Sequence, residues 1–255
     1  MPEDDAPERH GQTMVTVVPP WPVLLGLAAG CATFAGGRLA LRVEQWSGLL
    51  LGTTAGMVLG VALFDLLPDA IAIGGSRPGS AALLTVTGLA LIGYMLIDRL
   101  ADHRWPALAG VRSALAPASL TMHSFIDGAG IGLAFQLAPS VGWLVAIAVI
   151  AHDLADGVNA VSLAGATGNR RAAEIWLVIN ALAPVAGALV GGALTISPPL
   201  FAMLLCAFAG IFLYIGAAHL LPRSHALRPQ ASTGFASMTG MLFMLCVVQV
   251  ARSLH

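Results

Sequence analysis

Lysine is missing altogether, and only 10% of the 255 residues are charged. A water-exposed domain carries about a quarter charged residues, so this chain cannot cover a soluble surface. The net charge of −1 leaves no basic cluster to argue for nucleic acid as a partner. There are only three cysteines, Cys31, Cys206 and Cys246. Each lies in an apolar stretch and no two share metal-type or disulfide spacing, so they read as small packing residues. The N-terminus is acidic (Glu3, Asp4, Asp5, Glu8) where a cleavable signal would be basic, so none is expected. His-Glu-x-x-His, the helical signature of many zinc hydrolases, does not occur.

What is present is apolar residue: 57% of the chain, with mean hydropathy +0.84. Residues 1–18 are polar and are expected to form a disordered tail, leaving 19–255 as one transmembrane domain. Eight apolar segments follow, near 21–41, 46–72, 81–100, 115–138, 141–165, 172–195, 199–222 and 234–253. Each approaches the ~20 residues that span hydrocarbon as a helix. The expected fold is therefore all-α, a polytopic bundle of eight transmembrane helices embedded in the lipid bilayer. Arginine alone sets the topology. Alternate connections collect Arg38, Arg42, Arg99, Arg104, Arg112, Arg170, Arg171, Arg223 and Arg228 on one side, against Arg9, Arg77 and Arg252 on the other. The positive-inside rule then puts both termini outside the cytoplasm.

Two internal echoes suggest a repeat. Asp65-Leu66-Leu67-Pro68 in span 2 resembles His219-Leu220-Leu221-Pro222 in span 7, and His-x-x-x-Asp-Gly occurs at 123–128 and again at 152–157. Pairing span 2 with 7 and 4 with 5 gives a 3+2+3 arrangement of inverted repeats, an architecture of transporters. Glycines at four-residue spacing, such as Gly26 and Gly30 or Gly187 and Gly191, allow close helix approach. A small residue after each Asp of the repeated motif is expected to let spans 4 and 5 pack closely.

The chemistry concentrates in spans 4 and 5. On a helix, residues four apart share a face, so His123 and Asp127 point together, as do His152, Asp156 and Asn159. Ser124 and Asp153 lie beside them. Ionisable groups inside a bilayer are costly and default to a functional reading. Two imidazoles, three carboxylates, a hydroxyl and an amide without thiolate suit Zn²⁺ first, with Fe, Mn, Co and Cd as further candidates. A buried structural pair and a proton relay are the competing readings. Asp65, Asp69 and His219 sit near span ends, where they would line an ion's path or simply meet water. Asp98, Asp102 and Glu174 flank spans near arginines and read as surface charge, and Pro184 as a kink in span 6.

The chain resembles the ZIP (Zrt/Irt-like) family of divalent metal transporters over essentially all eight spans. His123-Ser124-Phe125-Ile126-Asp127-Gly128 is similar to the family's His-Asn-x-Pro-Glu-Gly, and His152-Asp153-Leu154-Ala155-Asp156-Gly157 to His-Glu-x-Pro-Glu-Gly. Leu66-Leu67-Pro68-Asp69-Ala70 resembles its span 2 motif, and Ala181-Leu182-Ala183-Pro184 its span 6. The departures are Ile126 and Ala155 for proline, Asp for Glu at 127 and 156, Ser124 for Asn and His219 for Glu, and the absence of a His-rich loop. The resemblance implies a secondary transporter, not an enzyme, moving zinc-type ions into the cytoplasm across a bacterial inner membrane by alternating access. It also implies a binuclear site, with His123, Asp127 and Asp156 at first-site positions, Ser124 and Asp153 at second-site positions, and the two aspartates bridging. Divalent ions and lipid are the expected partners, and a homodimer is allowed. The rivals left open are a proton-coupled carrier without metal, a metal-binding paralogue that does not transport, and an intramembrane metal-dependent hydrolase.

Overall fold

The structure, a computed structural model of the chain, describes residues 20–42, 47–74, 79–103, 109–165, 169–194 and 196–253. The predicted 1–18 tail lies outside the described residues, as do Arg77 and Arg104.

Every regular element among them is helical. Helix α1 is Trp21–Arg42. Helix α2 runs from Ser47–Gly60 through a π-helical turn, Val61–Leu66, into Leu67–Gly74. Helices α3 to α6 are Ser80–His103, Ala109–Leu137, Pro139–Ala164 and Arg170–Ala193. Helix α7 repeats the pattern of α2: Pro198–Tyr214, a π-helical turn at Ile215–Leu220, then Leu221–Leu227. Helix α8 is Ala231–Ser253.

Local chemistry sets several of these boundaries. Pro139 and Pro198 begin α5 and α7, where a missing N–H costs nothing. The Asn169 side chain accepts from Ala172 N at 3.1 Å and caps α6. The predicted end of span 7 at residue 222 is too early, because α7 continues through Pro222 to Leu227. Helix α2 likewise continues past Pro68, as the expected span of 46–72 allows, and in each case proline is the second residue after the π turn. Proline has no N–H to donate and clashes with the carbonyl four residues back. The wider i→i+5 turn just upstream gives that carbonyl room, so the helix continues past the proline instead of stopping.

Seven of the helices among the described residues are long and apolar enough to cross a membrane by length and composition. The remaining one, α4, has 29 residues and carries Ser113, Pro117, Ser119, Thr121, His123, Ser124 and Asp127. It can be this polar because protein, not lipid, surrounds its middle, where 123, 124 and 126–132 are all buried.

The helices sort into two groups. Helices α1, α4, α5 and α6 pack mainly on one another, as do α2, α3, α7 and α8. Exchanging 1 with 6, 2 with 7, 3 with 8 and 4 with 5 preserves the main contacts. The pairs α1–α5 and α4–α6 trade places, α2–α8 and α3–α7 trade places, and α1–α6, α2–α7 and α4–α5 map onto themselves. This is the inverted-repeat bundle expected from the short sequence echoes.

Gly128 and Gly157 occupy equivalent places in that relation, but they do not face each other. A Cβ on Gly128 would strike the Pro184 carbonyl of α6, and one on Gly157 the Thr33 carbonyl of α1. The expectation that these glycines bring α4 and α5 together is therefore corrected. They bring each of those helices onto its outer neighbour, which leaves the inner faces of α4 and α5 to side chains.

Candidate metal centre

Several buried hydroxyls elsewhere in the bundle are satisfied locally. Thr33, Thr54 and Thr87 each donate to a carbonyl three or four residues back on their own helix. The facing sides of α4 and α5 behave differently. His123 is 0% exposed, Asp127 8%, His152 3% and Asp156 1%, and one ligand atom from each lies within 4.8 Å of the others.

Asp127 is the hub. Its Oδ2 lies 3.0 Å from His123 Nε2 and 3.1 Å from His152 Nε2. His123 Nε2 is also 3.7 Å from Asp156 Oδ2. Four ligands held at 2.0–2.1 Å from a tetrahedral Zn²⁺ stand about 3.3 Å apart, so these separations already match a small cation's shell. The bonding pattern agrees. His123 Nε2 is in contact with Asp127 but not aligned for a hydrogen bond, and Asp156 Oδ2 and both Asp153 oxygens also have no such partner. Orphaned buried polar atoms are rare because each costs about 1–3 kcal/mol. Several of them gathered around one group of imidazoles and carboxylates make a set of ligand atoms that a cation could satisfy.

The other predicted site residues sit around this group. Asp153 is fully buried, with Oδ1 3.9 Å from His152 Nε2. Asn159, three residues beyond Asp156 on α5, is 1% exposed and has its Oδ1 unpartnered. Ser124 donates to Asn180 Oδ1 on α6 at 3.3 Å. From the second helix group, Phe212 sets its ring edge-on to His123 at 4.6 Å between centroids, with Phe208 at 6.2 Å.

Two acidic residues outside spans 4 and 5, Asp65 and Asp98, prove more involved than the sequence suggested. Asp65 of α2 lies within electrostatic reach of His152, Asp127 and His123, and so belongs to the surroundings of the site. Asp98, read as surface charge, is instead buried at 5% exposure on α3. It accepts from Tyr214 Oη at 3.0 Å and lies 3.1 Å from His219 Nε2, both on α7. Glu174 does pair at the surface, with Arg170 at 3.3 Å, and the side chain of Asp102 lies outside the described residues. Asp69 meets Arg252 at 3.0 Å near the surface.

Residues 100–248 match the sequence profile of the ZIP Zinc transporter family, which covers α4 to α7 and most of α8. The chain belongs to this family. Among ZIP relatives, it is 28% identical over 253 residues to the zinc transporter ZupT of Shigella dysenteriae serotype 1 (strain Sd197), covering 90% of this chain and 98% of that one. The zinc transporter ZupT of Escherichia fergusonii is 29% identical over 254 residues with the same coverage. ZIP membership makes this chain a membrane transporter of divalent metal ions and sets aside the hydrolase reading. It also gives the departures meaning. With Ile126 and Ala155 in place of prolines, α4 and α5 run unbroken through the site. The shorter Asp127 still reaches both imidazoles, His123 one turn back on α4 and His152 across on α5.

Proposed function

We propose that the chain carries zinc-type divalent ions across a bacterial inner membrane into the cytoplasm, through His123, Asp127, His152 and Asp156. The convergence of four buried ligand atoms, two imidazole and two carboxylate, within 4.8 Å supports this reading most strongly. Neutral imidazole with carboxylate is a donor set for Zn²⁺ and its neighbours and selects against Cu(I), which takes soft sulfur ligands. Asp153 and Ser124 would supply a second ion with oxygen ligands. All seven candidate residues lie in one copy of the chain, so the site needs no second subunit.

Alternating access follows from the division into two groups. The ligands belong to α4 and α5 of one group, while Phe208 and Phe212 of the other cover His123. Sliding one group past the other would uncover the site on one side at a time. The inward direction rests on the resemblance to the ZIP family and the termini on the arginine bias.

Two results are expected. Purified protein in proteoliposomes takes up zinc saturably, and other divalent ions compete in proportion to their preference for nitrogen and oxygen ligands. Absence of uptake for every divalent ion, from vesicles holding folded protein, would refute the reading. Single cysteines near Arg171 and Arg223, in a background without Cys31, Cys206 and Cys246, are labelled only from the cytoplasm, and one beyond Arg252 only from outside. Cytoplasmic labelling of the C-terminus would overturn the topology.

A further inference from the structure

The metal ligands come from α4 and α5, yet α6 also puts a polar side chain into the membrane interior. Asn180 is 0% exposed, and its Oδ1 accepts the hydrogen bond from Ser124 Oγ at 3.3 Å. Its other arm, Nδ2, has no hydrogen-bond partner among the described residues. A hydroxyl has one proton to give and two lone pairs to offer. With its proton committed to Asn180, Ser124 presents only lone pairs to its remaining surroundings. Ser124 follows His123 in sequence and stands three residues before Asp127, so α4 carries its hydroxyl on the same turn as two residues of the cluster.

The backbone holds this pair in register. One turn along, Gly128 sits under the Pro184 carbonyl, and Gly187 sits under that of Phe125, so α4 and α6 touch backbone to backbone. Neither partner can drift without breaking those contacts.

We propose that Asn180 is a positioning residue for the transport site. By taking the Ser124 proton it makes Ser124 an obligate oxygen donor, and so sets how well the site holds ions that need more oxygen ligands than zinc does. This rests on the reading that the His123, Asp127, His152 and Asp156 cluster is where the ion binds. Four ligands suffice for Zn²⁺, whereas Mn²⁺ favours six and oxygen, so loss of the Ser124 donor weighs on manganese more than on zinc. The unpartnered Nδ2 is then free to donate to a water carried on the ion. Simple helix-to-helix bonding would instead make Asn180 a matter of stability alone.

The test is calorimetric binding of Zn²⁺ and Mn²⁺ to purified protein, with melting measured in the absence of metal. The variants are Asn180→Leu, Asn180→Asp, Ser124→Ala, Ser124→Ala with Asn180→Leu, and Asp127→Ala. Asn180→Leu and Ser124→Ala are each expected to weaken manganese relative to zinc by about tenfold, the low end of what a lost outer partner costs a metal site. Asn180→Asp keeps an acceptor and is expected to restore the wild-type ratio, and the double variant should be no worse than either single one. An unchanged ratio in Asn180→Leu and Asn180→Asp, with only a lowered melting temperature, would overturn the proposal, as would additive effects in the double variant. If Asp127→Ala loses zinc while Ser124→Ala binds both ions like the wild type, Asn180 has no such role and the transport site stands. If Asp127→Ala also binds like the wild type, the cluster itself is not the site.

Discussion

Asp127→Ala is expected to abolish zinc uptake in proteoliposomes while the protein remains folded and inserted. Asp127 is the carboxylate that both imidazoles touch, at 3.0 and 3.1 Å. Without it, two histidines and Asp156 remain, and the one carboxylate among the described residues that contacts imidazoles of both helices is gone. Removing even an outer partner of a metal ligand costs about 10–100-fold, so loss of this ligand should take uptake below about one hundredth of the wild-type rate. Asp153→Ala is expected to do less, since Asp153 lies outside the four-residue group. The sharper variant is Asp127→Glu, which restores the residue usual in the family. A site that holds an ion can absorb one methylene by shifting the ion and changing its preference. A closely packed structural pair would instead lose about 1–3 kcal/mol of stability from overpacking. Wild-type uptake by Asp127→Ala would remove this residue from the mechanism.

The second large effect is structural. Gly157→Ala should destabilise the bundle by at least about 1–3 kcal/mol, and Gly157→Leu should prevent recovery of folded protein. The new Cβ would meet the Thr33 carbonyl oxygen of α1, and backbone cannot move aside as a flexible side chain can. Because α1 and α5 belong to the same group, the damage reaches the floor beneath His152 and Asp156. Gly88→Ala on α3 is the matched control, since nothing lies within 4 Å of its added Cβ and alanine favours a helix. Thermal melting in detergent separates the two. Equal melting temperatures for Gly157→Ala and the wild type would mean that α1 and α5 are not packed this closely.

The parts of the molecule that could be read from sequence are those fixed by solvent or by helical period. A bilayer demands about 20 apolar residues per helix, so eight spans are legible even where α4 is too polar to stand out alone. His123 with Asp127, and His152 with Asp156, are legible because four residues return a helix to the same face. What the sequence does not carry is which face meets which neighbour. Asp98 stands next to Arg99 near the end of α3, and nothing local distinguishes a solvated carboxylate there from one held by Tyr214, 116 residues away. Asn180 and Ser124 are 56 residues apart, and their bond depends on where α6 crosses α4. Gly128 and Gly157 were rightly read as places of close approach but assigned to the wrong partners, because spacing along one helix does not name the other. The continuation of α7 past Pro222 is not legible for a different reason. A proline usually ends a helix, and the π turn that absorbs it has no signature of its own.

The sharpest test of the cluster as the ion's resting place is X-ray absorption at the zinc edge on purified protein loaded with zinc in detergent or lipid. The expected spectrum shows nitrogen and oxygen neighbours at about 2.0–2.1 Å and the outer-shell scattering of two imidazoles. Asp127→Ala should lose that signal at equal protein. Sulfur at about 2.3 Å, which only a cysteine ligand such as Cys31, Cys206 or Cys246 would place so close, or a spectrum without imidazole, would contradict a site built from His123 and His152.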